Sequence, residues 1–271
     1  MSTTPSVQTI VNYIRDHRCF SHPIFEHWST VAPGPTAVGA LFHQIQNFCA
    51  STRPGRNFPE ALGSLKLDTS SHLLQEIVES EENHGPELAT MAGYIMNRAA
   101  GAPVNPDLDD QAAVEAKLKQ CSDDLLGSLP GYIQSSGLLQ QVQTAIEVFE
   151  RRESTAEEIT YKNLGTALAL EMISNRHLIP GEKICLIDSG LYEATLEDAE
   201  MHYLLEHWGE AGAEEQHEKN AVAALDAILD ERTFPLAMEG ARDFLESLVA
   251  VWDVLDSALL ASGQRRELVS V

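Results

Sequence analysis

The sequence predicts an all-helical protein, and three observations predict it. Ala, Leu, Glu and Gln, all good helix formers, fill the periodic stretches. Apolar positions recur every three or four residues along most of the chain, the spacing that lays a stripe on one helix face. Aromatic residues make up 6% of the sequence, and the β-branched runs that mark strands are scarce. With 271 residues, 44% of them hydrophobic, the chain is long enough to bury a large core as one domain. The expected organisation is a single domain over 1–271: an N-terminal helix within 1–20, a bundle core over 22–261 and a frayed tail over 262–271.

A first helix is expected from about Ser6 to His17, interrupted by the CFSHP segment because Pro23 disfavours helix at the residue before it. A short helix follows around Ile24–Trp28. Pro33, Gly34 and Pro35 break the chain, and Thr36 can cap a helix over 37–51. STRPGRNFPE reads as a loop. A long helix is expected from Ser70 to Ala100, bent at Gly85-Pro86. GAPVNPDLDD ends it, and helices over 110–127 and 130–151 follow, the second interrupted near Ser135-Ser136-Gly137. Ser154-Thr155 with Glu157-Glu158 opens a helix over 155–177 that LIPGEK ends. Glu193–Arg232 reads as one long helix, or as two with a kink at Gly209 and Gly212, and Pro235 separates a last helix over 236–261.

The net charge of −23 repels phosphate backbones and anionic lipid surfaces, so nucleic acid and membrane are not expected partners. No stretch approaches 18 apolar residues, and MSTTPSVQTIVNYIRDH lacks the apolar core of a signal peptide. Cys19, Cys49, Cys121 and Cys185 are widely spaced, which points to reduced thiols rather than a zinc knuckle or disulfide framework. A cytoplasmic location is expected.

Three predicted helices carry ionisable residues where the stripe calls for apolar ones. The first stripe reads Leu74, Ile77, Glu81, His84, Leu88, Met91, Ile95, so Glu81 and His84 stand one turn apart on one face. The second reads Tyr161, Leu164, Leu168, Glu171, Asn175, and a lone Glu171 in such a run is costly unless paired or bound to metal. The third reads Tyr203, His207, Glu210, Glu214, His217, Ala221, Ala224, Ile228. Its Glu214 and His217 repeat the Glu-x-x-His spacing of Glu81 and His84. Carboxylates and imidazoles without cysteine suit iron or manganese better than structural zinc. Glu-x-x-His pairs on facing helices are the pattern of di-iron carboxylate bundles. Single acidic residues such as Glu79, Glu82 and Glu210 read as solvated helix faces. Trp28, Trp208 and Trp252 read as packing residues, and His22, His27, His43 and His72 as structural or surface groups. His43 and Gln44 follow an apolar run that could bring them to a pocket.

The segment ENHGPEL at 82–88 and the late pair Glu214-x-x-His217 resemble motifs of the haem-oxygenase-like di-iron oxidases and oxygenases, in the CADD-like branch (chlamydial protein associating with death domains) related to TenA/PqqC-like proteins. The resemblance spans His22 to Ile228. It implies a haem-oxygenase-like bundle of about seven core helices, usually dimeric, that holds two irons per chain, or iron with manganese, and uses O2 to oxidise a small metabolite such as an amino acid or fatty acid derivative. Carried over residue by residue, it makes Glu81, His84, Glu171, Glu214 and His217 ligands. The family's His four residues before the late acidic ligand is Glu210 here, with His207 one turn further back. The Tyr that CADD-type members place before the mid-chain Glu is Leu170.

The expected function is therefore a non-haem di-iron, or iron–manganese, oxidase or oxygenase with a small-molecule substrate and O2 as partners. Glu81, His84, Glu171, His207, Glu214 and His217 are the ligands, and Glu210 is the alternative to His207. Tyr161, Lys162 and Tyr203 are supporting candidates. His207 and His217 are ten residues, about 15 Å, apart on a regular helix. His207 can join the site only if the chain is irregular between Trp208 and Ala213. The competing readings are a metal-free CADD-like interaction protein and a cofactor-free PqqC/TenA-like enzyme.

Overall fold

The computed structural model describes residues 6–52, 57–81, 85–208 and 213–269, with side chains for all of these except 80–86 and 264–269. The described chain is almost entirely helical: α1 (Val7–Arg15), α2 (Ile24–Val31), α3 (Pro35–Thr52), α4 (Asn57–Ser64), α5 (Asp68–Glu81), α6 (Gly85–Ala100), α7 (Gln111–Leu126), α8 (Gln140–Glu150), α9 (Glu157–Ile173), α10 (Ile179–Lys183), α11 (His202–His207), α12 (Glu214–Asp226) and α13 (Thr233–Val269). The single hairpin pairs Tyr132 with Leu139 and Ile133 with Leu138 among the described residues. No helix among them is long and apolar enough to cross a membrane.

The bundle is built around α9 and α13, which cross with almost nothing between them. A Cβ on Gly165 would stand 1.8 Å from the Ala237 carbonyl oxygen, and one on Gly240 would stand 1.9 Å from that of Lys162. Lys162–Glu239 at 2.6 Å ties the two helices at that crossing, and Arg151, just after α8, pairs with Asp243 of α13 at 2.6 Å. α3 packs against α6 and α7, and α12 lies between α5 and α9. α5 and α12 run antiparallel: Ser70 Oγ donates to the Ala224 carbonyl at 2.6 Å, and Asn220 Nδ2 donates to Glu76 Oε2 at 2.9 Å. Continuing that register brings the end of α5, at Glu81, level with the start of α12.

Several boundaries differ from the sequence expectation. STRPGRNFPE is not all loop, because α4 begins at Asn57 and places Pro59 in its first turn, where a missing N–H costs nothing. The expected 70–100 helix is described as α5 and α6, with the junction at 82–84 outside the described residues, and 130–151 is a hairpin followed by α8. LIPGEK does not end the 155–177 helix. A π-helical turn at Ser174–Leu178, α10, and a second π turn at Ile184–Asp188 carry one helical run from Glu157 to Asp188, with Pro180 in the first turn of α10. Of the two readings of 193–232, one long helix or two, the structure has two shorter ones: 193–198 is not helical, α11 ends at His207, Trp208 turns to extended backbone, and α12 begins at Glu214. The tail expected to fray from 262 is helical through Val269.

Candidate metal centre

The cluster at the bundle interior comes from three elements. α9 contributes Glu171, α11 contributes His207, and α12 contributes Glu214 and His217. All four are buried, with 6%, 4%, 6% and 4% of their surface exposed. Glu171, Glu214 and His217 can each offer one ligand atom such that all three lie within 4.8 Å of one another. His217 Nδ1 stands 3.6 Å from Glu171 Oε2, and His207 Nε2 stands 3.7 Å from Glu214 Oε1. These separations exceed a hydrogen bond. They match the spacing of donors arranged around a cation that each would reach at about 2.0–2.2 Å.

Local structure explains how the four meet. Glu171 is followed within three residues by the π turn, which inserts an extra residue and re-aims the chain beyond it; such turns often sit at functional sites. The turn is clamped to α12: Asn175 Nδ2 donates to Glu218 Oε2 at 2.7 Å, and Arg176 pairs with the same carboxylate. Glu218 is next to His217, so this clamp sets where the imidazole stands against Glu171. Glu214 opens α12, where the positive end of the helix dipole favours a carboxylate.

His207 reaches the cluster because the helix breaks after it. Its Nδ1 lies 2.6 Å from the Tyr203 carbonyl oxygen. A carbonyl can only accept, so Nδ1 carries the proton, and in the neutral ring Nε2 keeps its lone pair on the side facing Glu214. Metal-ligating histidines are held by the same device. The Tyr203 ring packs against the imidazole, with centroids 4.4 Å apart.

Of the other expected site residues, His84 and Glu210 lie outside the described residues. Glu81 ends α5, and its side chain is not among those described. Two supporting candidates are engaged elsewhere: Lys162 with Glu239, and Tyr161 with Glu157 at 3.0 Å. His22 and His27 pair with Asp253 and Asp256 at 3.2 and 2.8 Å. His43 donates to or accepts from Ser122 Oγ at 3.0 Å, and burial pulls its pKa down to about 4. It lines a cleft of about 350 Å³ between α3 and α7, with Asn47, Glu115 and Lys119.

Three further buried charged groups were not visible in the sequence. Glu218 sits one position past the stripe, and only its partner Arg176 marks it. Arg152 is buried after α8, and Glu182 is buried on α10. An outer group, Glu87, His202 and Glu206, also has ligand atoms within 4.8 Å of one another, but His202 and Glu206 form an exposed i,i+4 pair at 3.0 Å.

No protein-family model matches the chain, and no curated protein and no solved structure matches it either.

Proposed function

We propose that the chain is a non-haem, metal-dependent oxidase or oxygenase that uses O2 on a small metabolite. Iron, or iron with manganese, would be held by Glu171, His207, Glu214 and His217. Glu81, His84 and Glu210 are the proposed remaining donors. The observation that carries this reading is the buried set of two carboxylates and two imidazoles, in which Glu171, Glu214 and His217 offer ligand atoms within 4.8 Å of one another and His207 Nδ1 is held by the Tyr203 carbonyl.

The donor set fits the metal chemically, because oxygen and imidazole nitrogen ligands without thiolate suit iron and manganese. Bound there, such a metal would supply the electrons and open positions that O2 reduction needs. The chain's own residues do the rest. Glu171 and Glu214 bring the negative charge that offsets a divalent cation away from water. Tyr203 holds His207 in the ligating tautomer, and the Arg176–Glu218 clamp holds His217 toward Glu171. Leu170 and Met172, the chain neighbours of Glu171, and Leu168 one turn before it are all buried, which makes the surroundings of that carboxylate apolar.

A thiol-dependent reading is disfavoured at three of the four cysteines. Burial pushes the thiols of Cys19, Cys121 and Cys185 up, away from the thiolate a nucleophile needs. The test is an oxygen electrode: protein loaded with Fe(II) without oxygen should consume O2 faster than the same Fe(II) free in buffer. His207→Gln and His217→Gln should lose that excess. Uptake equal in wild type and both variants would remove the cluster from O2 chemistry.

A further inference from the structure

We infer that the guanidinium of Arg152 is an anion-binding group inside the bundle, and that the ligand it takes is a small organic carboxylate. This names a substrate class for the proposed metal site and rests on that reading for the word substrate; the anion site itself stands on Arg152.

Arg152 follows α8 and is 4% exposed. Its guanidinium lies over the Phe149 ring, 4.6 Å from the centroid, and Nη1 donates to the carbonyl of Thr52, the last residue of α3. Nε is shut off from solvent and has no hydrogen-bond partner. Other arginines of the chain meet carboxylates: Arg18 with Asp253, Arg151 with Asp243, Arg176 with Glu218 and Arg232 with Glu157. Among the described residues, none of the ion pairs involves Arg152. Among the described residues, the most deeply buried of these cations is thus the one without an adjacent counter-charge, and a buried cation left unpaired is destabilising.

The carboxylate that acts on it from a distance is Glu171. Burial lowers the Arg152 pKa to about 10, and the charge of Glu171 opposes that shift. Arg152 reaches the same helix as Glu171 because its turn packs on α9, where Arg151 Nη2 lies 3.4 Å from Thr166 Oγ1. A cation bound at the cluster would engage Glu171 and so weaken the attraction that, among the described residues, offsets the burial of Arg152. A ligand carboxylate restores it. With Nη1 committed to Thr52, the edge that remains includes Nε. That side-on edge, Nε with Nη2, is the fork that takes both oxygens of a carboxylate. The aromatic trio of Phe48, Phe149 and Phe244, with centroids 5.3–6.3 Å apart, gives the surroundings an apolar character.

The probes are hexanoate and benzoate, each against its neutral amide, with binding read by thermal shift on metal-free and Co(II)-loaded protein. Each carboxylate should bind wild type at least about tenfold more tightly than its amide, as one charge-assisted pair requires. The preference should grow on Co(II) loading and vanish in Arg152→Met. Metal-free Arg152→Met should be no less stable to urea than wild type, because it removes an uncompensated buried charge. On wild type alone, benzoate should shift an arginine Nε–H resonance that exchanges slowly with water. Amides that bind as well as carboxylates, a preference that survives in Arg152→Met, an unmoved Nε–H resonance, or a variant that unfolds more easily would each overturn the inference. Carboxylate preference without metal uptake would refute the metal reading alone. Metal uptake without carboxylate preference would refute this one alone.

Discussion

Glu182→Gln tests how the helical run beyond Glu171 is held. Glu182 sits on α10 between the two π turns, 3% exposed, with Oε2 lacking a hydrogen-bond partner. Gly181 beside it is pressed so closely on Phe25 that a Cβ would stand 2.1 Å from the ring. Burial therefore raises the Glu182 pKa from 4.5 to about 8. For a carboxyl raised in this way, both states are protonated below pH 4.5 and nothing is lost. Above that, the unfolded chain releases the proton while the folded chain keeps it until about pH 8. Stability falls by about 1.4 kcal/mol per pH unit across the window and levels off above it. Gln has the same shape and no proton to lose. The variant should match wild type to within about 1 kcal/mol at pH 5, exceed it by about 3 kcal/mol at pH 7 and by somewhat more at pH 8.5. Urea unfolding followed by circular dichroism at the three pH values measures the difference, in which all other titrations cancel. A difference independent of pH, or a variant less stable at pH 7, would refute the burial argument.

Three more outcomes are expected from the same structure. Gly165→Ala should destabilise the fold by about 1–3 kcal/mol or more, as overpacking at a backbone crossing does, and urea unfolding reads it directly. Arg176→Met should weaken Co(II) binding by about 10- to 100-fold while leaving the helical circular dichroism intact, because it loosens the clamp that orients His217 without removing a donor. In native protein a thiol reagent should label half-buried Cys49 and spare Cys19, Cys121 and Cys185 until denaturant is added; fast labelling of all four would contradict their burial.

The helical class was legible because periodicity is a local signal. Leu74, Ile77, Leu88, Met91 and Ile95 are all buried as their stripe predicts, and so are Glu171, Glu214 and His217. What escaped the sequence depends on tertiary packing. Pro180 reads as a stop, yet helix continues through it because the flanking π turns widen the path and Pro180 stands in a first turn. The hairpin strands are two residues each, too short to alternate; only Gly131 and Gly137, at φ 83° and 75°, mark the turns. Gly209 and Gly212 marked the stretch where the chain had to be irregular for His207 to join the site, and the backbone does leave the helix there, at Trp208, with the His207 imidazole facing Glu214. Arg152 sits in the polar run RRES, which reads as solvent-facing; the end of α3 covers it, and nothing local announces that.

Whether Glu171, His207, Glu214 and His217 hold a metal together is tested most directly by an anaerobic Fe(II) titration with metal analysis. Wild type should bind close to two irons per chain. Glu171→Gln, His207→Gln and His217→Gln should each lose at least one of them while keeping the helical spectrum. Iron bound at the same stoichiometry and affinity in all three variants would contradict the claim.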